Sequence, residues 1–281
     1  MDDTDDTTGR RRRFAEAARE ERPDLALLCL LIAAEANPEE GEAGIDAAQI
    51  ELDRLAGSLP ALGRAAAPRQ WAAALAELLG ERCGFRGSPA DYRRLESSLL
   101  GEVLRRRRGL PILLSVVWME VARRAGAPVY GVALPGHFVV GFGDPDGAHV
   151  LADPFDGGRP LSEDEAGLLV AGATGAPLTP SMFSPAEPLE IVLRVLNNIR
   201  AWAAARPERS EVQLWAVDLS LLLPSHPARL RYERAELLVE RGDFVGGARE
   251  MEEYAEVIDA LEPTVARTVR REARAARAML N

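Results

Sequence analysis

A chain of 281 residues, 47% of them apolar, is long enough for about two domains and can fill real hydrophobic cores. Its net charge of -10 and isoelectric point near 5.0 exclude nucleic acid as the main partner, because phosphate-backbone affinity needs clustered positive charge. Cys29 and Cys83 stand far apart without a CxxC spacing, which suggests neither a disulfide framework nor a zinc site and fits a reducing compartment.

Residues 1–9 are acidic and polar without apolar periodicity, so residues 1–13 are expected as a disordered tail. From residue 14 to 36 the pattern is helical, and Pro23-Asp24 can open a fresh helix before Leu25. The apolar run 25–34 superficially resembles the core of a signal peptide. Charged residues 19–24 separate it from the arginines at 10–13, however, and Leu28 stands where a small residue should precede a processed cysteine. It is also too short to span a bilayer, so a buried core helix, no membrane partner and a cytoplasmic location are expected.

Residues 45–57 and 71–79 read as further helices between Pro/Gly/Ala-rich stretches. Residues 91–108 read as one helix, with Leu95, Leu99, Leu100, Val103 and Leu104 on one face and Gly109 closing it. The arginines at 105–108 then form a solvated helix end. Pro111 opens the next helix and Gly126 caps it, and its residues are apolar nearly all round, as befits a central buried helix.

Strands are expected at 129–133, 138–142 and 149–152, followed by a short helix near 162–171, an α+β order. Residues 172–188, with four prolines among small residues, read as a linker. Beyond it lie helices at 191–205, 211–223, 229–241, 244–261 and 264–280 with short connections. Arg241-Gly242-Asp243-Phe244 with Ala248 resembles the turn and second helix of a tetratricopeptide unit, after Pro224 ends an earlier helix. The expected division is therefore an α+β domain over 14–171, a linker over 172–188 and a helical domain over 189–281.

The most informative stretch is Leu134-Pro135-Gly136-His137-Phe138, followed by Ala152-Asp153-Pro154-Phe155. In a hairpin centred on Pro145, positions 137 and 153 lie opposite each other. A carboxylate on one imidazole nitrogen fixes the tautomer and frees the other nitrogen to act as a base. The same pair could equally be a structural staple at a hairpin end. Ser115 lies four residues after Pro111 on the same helix face and is the available alcohol, although a serine in such a helix more often back-bonds to a carbonyl four residues earlier. Cys83 reads as a small packing residue, and His149 and His226 as surface residues. Three scattered histidines make no metal site, and Gly136, Gly157 and Gly158 form no nucleotide-binding pattern, so no cofactor is expected.

The blocks 102–111, 120–126, 134–138 and 153–158 resemble, in order and spacing, the bacterial SirB-type branch of the transglutaminase-like superfamily. Arg194-Val195-Leu196-Asn197-Asn198 and residues 231–242 resemble its tetratricopeptide-like tail. The resemblance implies a papain-like α+β core, a buried central helix packed on a small antiparallel sheet, then an all-α region. It also implies a Cys-His-Asp triad, in which His137 and Asp153 match the family histidine and aspartate. The helix-start position that holds the thiol in active members corresponds to Pro111, and Ser97 and Gly101 replace the polar, asparagine-like residues expected there. Two functions follow as expectations. One is a non-catalytic or residually catalytic module whose helical tail binds a protein or peptide. The other is a hydrolase or acyl transferase on amide or ester bonds, with Ser115 as nucleophile, His137 as base and Asp153 as orienter.

Overall fold

The computed structural model describes residues 3–63 and 66–279. In chain order it contains α1 (Asp3–Ala17), α2 (Leu25–Ala36), α3 (Gly41–Gly57), α4 (Pro68–Leu75), α5 (Leu100–Arg106) and α6 (Pro111–Arg124). Four strands follow, β1 (Val129–Val132), β2 (Val139–Gly143), β3 (His149–Asp153) and β4 (Arg159–Leu161), then α7 (Glu163–Thr174). The remainder is helical: α8 (Pro188–Ala204), α9 (Ser210–Leu222), α10 (Arg229–Glu240), α11 (Phe244–Ile258) and α12 (Pro263–Ala278). The α+β class, with a helical region after it, is as the sequence implies.

The chain divides into two compact units, one comprising residues up to Arg10 and Arg22–Val195, the other Arg11–Glu21 and the residues from Leu196. In the first, α6 is the central helix. Pro111 occupies its first turn, where a missing N–H costs nothing, and every residue from Pro111 to Ala122 is buried. The four strands pair antiparallel in sequence order. The helices α4 and α6 pack against the sheet. Val132, Leu134, Val139, Leu151 and Leu161 instead join Ala166 and Val170 of α7 in a separate cluster. Asp24 opens α2 as expected, its carboxylate accepting the Leu27 N–H at 3.0 Å.

Four expectations are corrected here. Residues 1–13 are not a tail: α1 is helical from Asp3, with residues 1–2 outside the described part. Arg10 pairs within the helix with Asp6, and Arg11 pairs with Asp218 at 2.8 Å, a long-range partner that local composition does not reveal. The segment 91–108 is not one helix. Two tight turns, Pro89–Arg93 and Leu95–Ser98, precede α5. Buried Asp91 accepts from the hydroxyls of Ser88 at 2.8 Å and Ser97 at 3.3 Å, and those bonds compete with a regular helix.

The arginines at 105–108 are paired rather than merely solvated: Arg105 with Glu40 and Glu102, Arg106 and Arg108 with Asp91, and Arg107 with Glu51. Arg107, not Gly109, takes the left-handed conformation that ends α5, at φ 58°. Finally, 172–188 is not a free linker. Leu178, Met182 and Phe183 pack on the sheet cluster, and the Ala186 N–H donates to the Gly131 carbonyl at 2.9 Å. Strand β4 was not expected at all, since it is only three residues long behind two glycines.

All five helices expected after the linker form, as α8 to α12, with Leu280 outside the described residues. Gly242 makes the turn at φ 90°, and Asp243 caps α11 by accepting the Gly246 N–H at 2.8 Å. A side chain at Gly247 would come within 2.8 Å of the Ala235 carbonyl, so α10 and α11 pack backbone to backbone there.

Candidate active site

His137 does not lie in a strand. It ends a turn, closed by its N–H donating to the Leu134 carbonyl at 3.1 Å, in which Gly136 takes φ 74°. A Cβ on Gly136 would lie 2.6 Å from that of Ala173, so only glycine fits. Asp153 is the last residue of β3 and is buried.

The two side chains meet, with His137 Nε2 2.9 Å from Asp153 Oδ2. They are not directly opposite each other. Observed β2–β3 pairs run from Val140↔Ala152 to Gly143↔His149, which centres the hairpin on Asp146 rather than Pro145. Continued by one pair, that register sets Val139 against Asp153. His137, two residues before Val139 and outside the strand, reaches the carboxylate from the turn.

The other carboxylate oxygen of Asp153 accepts the Phe155 N–H at 2.9 Å and caps the turn Pro154–Asp156. Both oxygens are thus used, and the carboxylate is fixed before it orients the imidazole. The Phe155 ring stands edge-on to the His137 ring at 5.9 Å, and Tyr92 stands edge-on to Phe155 at 6.2 Å. Arg194 of α8 clamps the turn, its Nη2 donating to the Leu134 and His137 carbonyls at 2.7 Å each. Its guanidinium lies over the Phe138 ring at 5.6 Å. Burial lowers the Arg194 pKa, and burial together with the Asp153 charge raises that of Tyr92.

Ser115 makes no hydrogen bond to this pair. It is fully buried, and its hydroxyl donates to the Phe138 carbonyl at 3.3 Å, neither to the His137 ring nor back along α6. Cys83 is half-buried. Ser97 is buried; besides its bond to Asp91 it accepts the Leu110 N–H at 2.9 Å, tying the turn to the start of α6. His149 and His226 hydrogen-bond through Nδ1 to the carbonyls of Gly147 at 3.0 Å and Leu223 at 2.9 Å. Among the described residues no group of acids, cysteines and histidines could hold a metal, and no helix is long and apolar enough to cross a membrane.

With this geometry in place, the comparisons with known proteins are decisive about kinship. The profile of the transglutaminase-like superfamily matches residues 46–197, more than half of the chain. The chain belongs to the transglutaminase-like superfamily. A tetratricopeptide-repeat profile matches residues 199–281. A UPF0162 protein of Xylella fastidiosa strain 9a5c is 32% identical over 190 residues, covering 66% of this chain and 67% of that one. UPF0162 protein PA3419 of Pseudomonas aeruginosa is 37% identical over 113 residues, 40% of this chain and 41% of its own. F-box only protein 21 of Mus musculus is 25% identical over 161 residues, 55% of this chain but 25% of that protein.

In this transglutaminase-like unit the sequence singled out His137 and Asp153, which the fold brings together, and Ser115, which it does not. Tyr92, Phe155 and Arg194 were missed as neighbours of the site. Phe155 and Arg194 lay in stretches already notable by resemblance, so attention to the residues beside Asp153 and to the lone arginine of 194–198 could have found them.

Proposed function

We propose that this chain is a transglutaminase-like module of the SirB-type branch whose His137–Asp153 pair works without an attacking thiol or alcohol, joined to a tetratricopeptide-like tail that binds a protein or peptide in the cytoplasm. The observation that carries this is the commitment of Ser115, which is buried and donates its proton to the Phe138 carbonyl. A nucleophile needs a base within about 2.6–3.2 Å and access to substrate. Proline at the start of α6 leaves that position without a thiol. Repeated helix pairs in the tail suit a partner protein.

The tail half of this proposal is tested with the full chain as bait. Retention of a specific partner, lost when only the tail surface is altered, is expected; repeated retention of none contradicts it. The other half is tested with an activated ester. Hydrolysis is expected to be the same for the unaltered chain, Ser115→Ala and His137→Ala. A rate lost in both variants would favour the second reading, a Ser115-His137-Asp153 hydrolase or acyl transferase, which the 2.9 Å His137–Asp153 bond supports.

A further inference from the structure

Three polar groups beside the His137–Asp153 pair are unfilled. His137 spends Nε2 on Asp153, which leaves Nδ1 without a hydrogen bond among the described residues. Tyr92 is 50% exposed, and its hydroxyl likewise makes none. Arg194 uses Nη2 for two carbonyls and its face for Phe138, and its other N–H groups have no protein acceptor among the described residues.

Arg194 differs from arginines such as Arg124 and Arg234, which reach carboxylates at 2.6 and 2.7 Å. Among the described residues no carboxylate lies within ion-pair distance of Arg194. A partly buried cation answered only by dipoles and a ring is short of counter-charge. Tyr92 adjoins Phe155, Phe155 adjoins His137, His137 is held by Arg194, and the charges of Arg194 and Asp153 both act on the Tyr92 hydroxyl. These four residues are one contiguous group.

We propose that this group is a carboxylate-binding site, in which the free N–H groups of Arg194 and the Tyr92 hydroxyl take the two oxygens while the Tyr92 and Phe155 rings cover the adjoining apolar part of the ligand. The planar, multi-donor guanidinium suits a carboxylate, and both oxygens of Asp153 are already engaged, one by the His137 ring and the other by the Phe155 N–H. The inference rests on reading the His137–Asp153 centre as one that holds a ligand without attacking it.

The test is an NMR titration of the full chain, followed at the His137 ring, with acetyl-trialanine bearing a free carboxylate and with the same peptide as its amide. Saturable shifts are expected with the acid and not the amide. Loss of one hydrogen bond in Tyr92→Phe should weaken binding about fivefold, and loss of the charge-assisted bonds in Arg194→Met by about tenfold or more. Tyr92 is half exposed, so its variant carries the test even where Arg194→Met fails to fold. An equal response to the amide, no saturable shift, or undiminished binding by Tyr92→Phe overturns the proposal. Cleavage of the bound peptide would leave the carboxylate site standing and overturn the non-catalytic reading instead.

Discussion

Asp153 does two jobs with two oxygens, and the candidate site depends on both. One holds the His137 imidazole at 2.9 Å and the other caps the turn that presents Phe155, also at 2.9 Å. Asp153→Ala strands a partly buried N–H and frees the ring, so we expect a loss of about 1–3 kcal/mol in urea denaturation. Unchanged stability would show that neither bond matters to the fold. The His137 and Asp153 pairing was legible in the sequence because both residues interrupt apolar runs beside the ends of the expected strands. Ser115 was not, since nothing local distinguishes a serine bonded along its own helix from one bonded across to Phe138. Tyr92 and Arg194 come from segments distant along the chain, and only the tertiary fold brings them beside the pair.

At the scale of elements, the sequence reads well where one face or one stripe decides the structure. The helix opened by Pro111, the helix capped by Asp24 and the tail helices are of that kind. It reads poorly where a side chain competes with the backbone. Asp91 draws in two serine hydroxyls and Arg108, and the expected helix over 91–108 breaks into tight turns before α5.

The end of α5 is held by a further network. The Glu51 carboxyl is lowered from 4.5 to about 2, first by its hydrogen bond to Arg54 and then by the one to Arg107, against the opposing effect of burial. A depressed carboxylate contributes stability that is complete above its unfolded value and lost as pH falls through the folded value. The unaltered protein should therefore exceed Glu51→Gln in stability at neutral pH, and the difference should shrink as pH drops from 4.5 towards about 2. Thermal melts across that range check it; a difference independent of pH contradicts it.

For the whole molecule, the division into units does not follow the order of the chain. Residues Arg11–Glu21 group with the helical unit from Leu196, although nearly the entire α+β unit lies between them in sequence. Composition alone made this opening segment a tail, because the aspartate that Arg11 meets is more than two hundred residues away, at 218. Phe14 is 1% exposed, and its truncation to alanine should cost about 3–5 kcal/mol. Amide exchange in α9 to α12 is then expected to accelerate more than exchange in the sheet. Equal effects on both units would contradict this grouping. Tail architecture, by contrast, was legible from short connections and from the Gly242-Asp243 turn, which forms as expected.

A hydroxyl activated by His137 would make this chain an enzyme. Intact-mass measurement of the full chain after exposure to a serine-directed phosphonate answers this most directly. No adduct is expected on Ser115, whether or not His137 is replaced by alanine. Stoichiometric labelling of Ser115 that disappears in His137→Ala would mean that the serine leaves the Phe138 carbonyl and attacks, and the chain would then be a working enzyme.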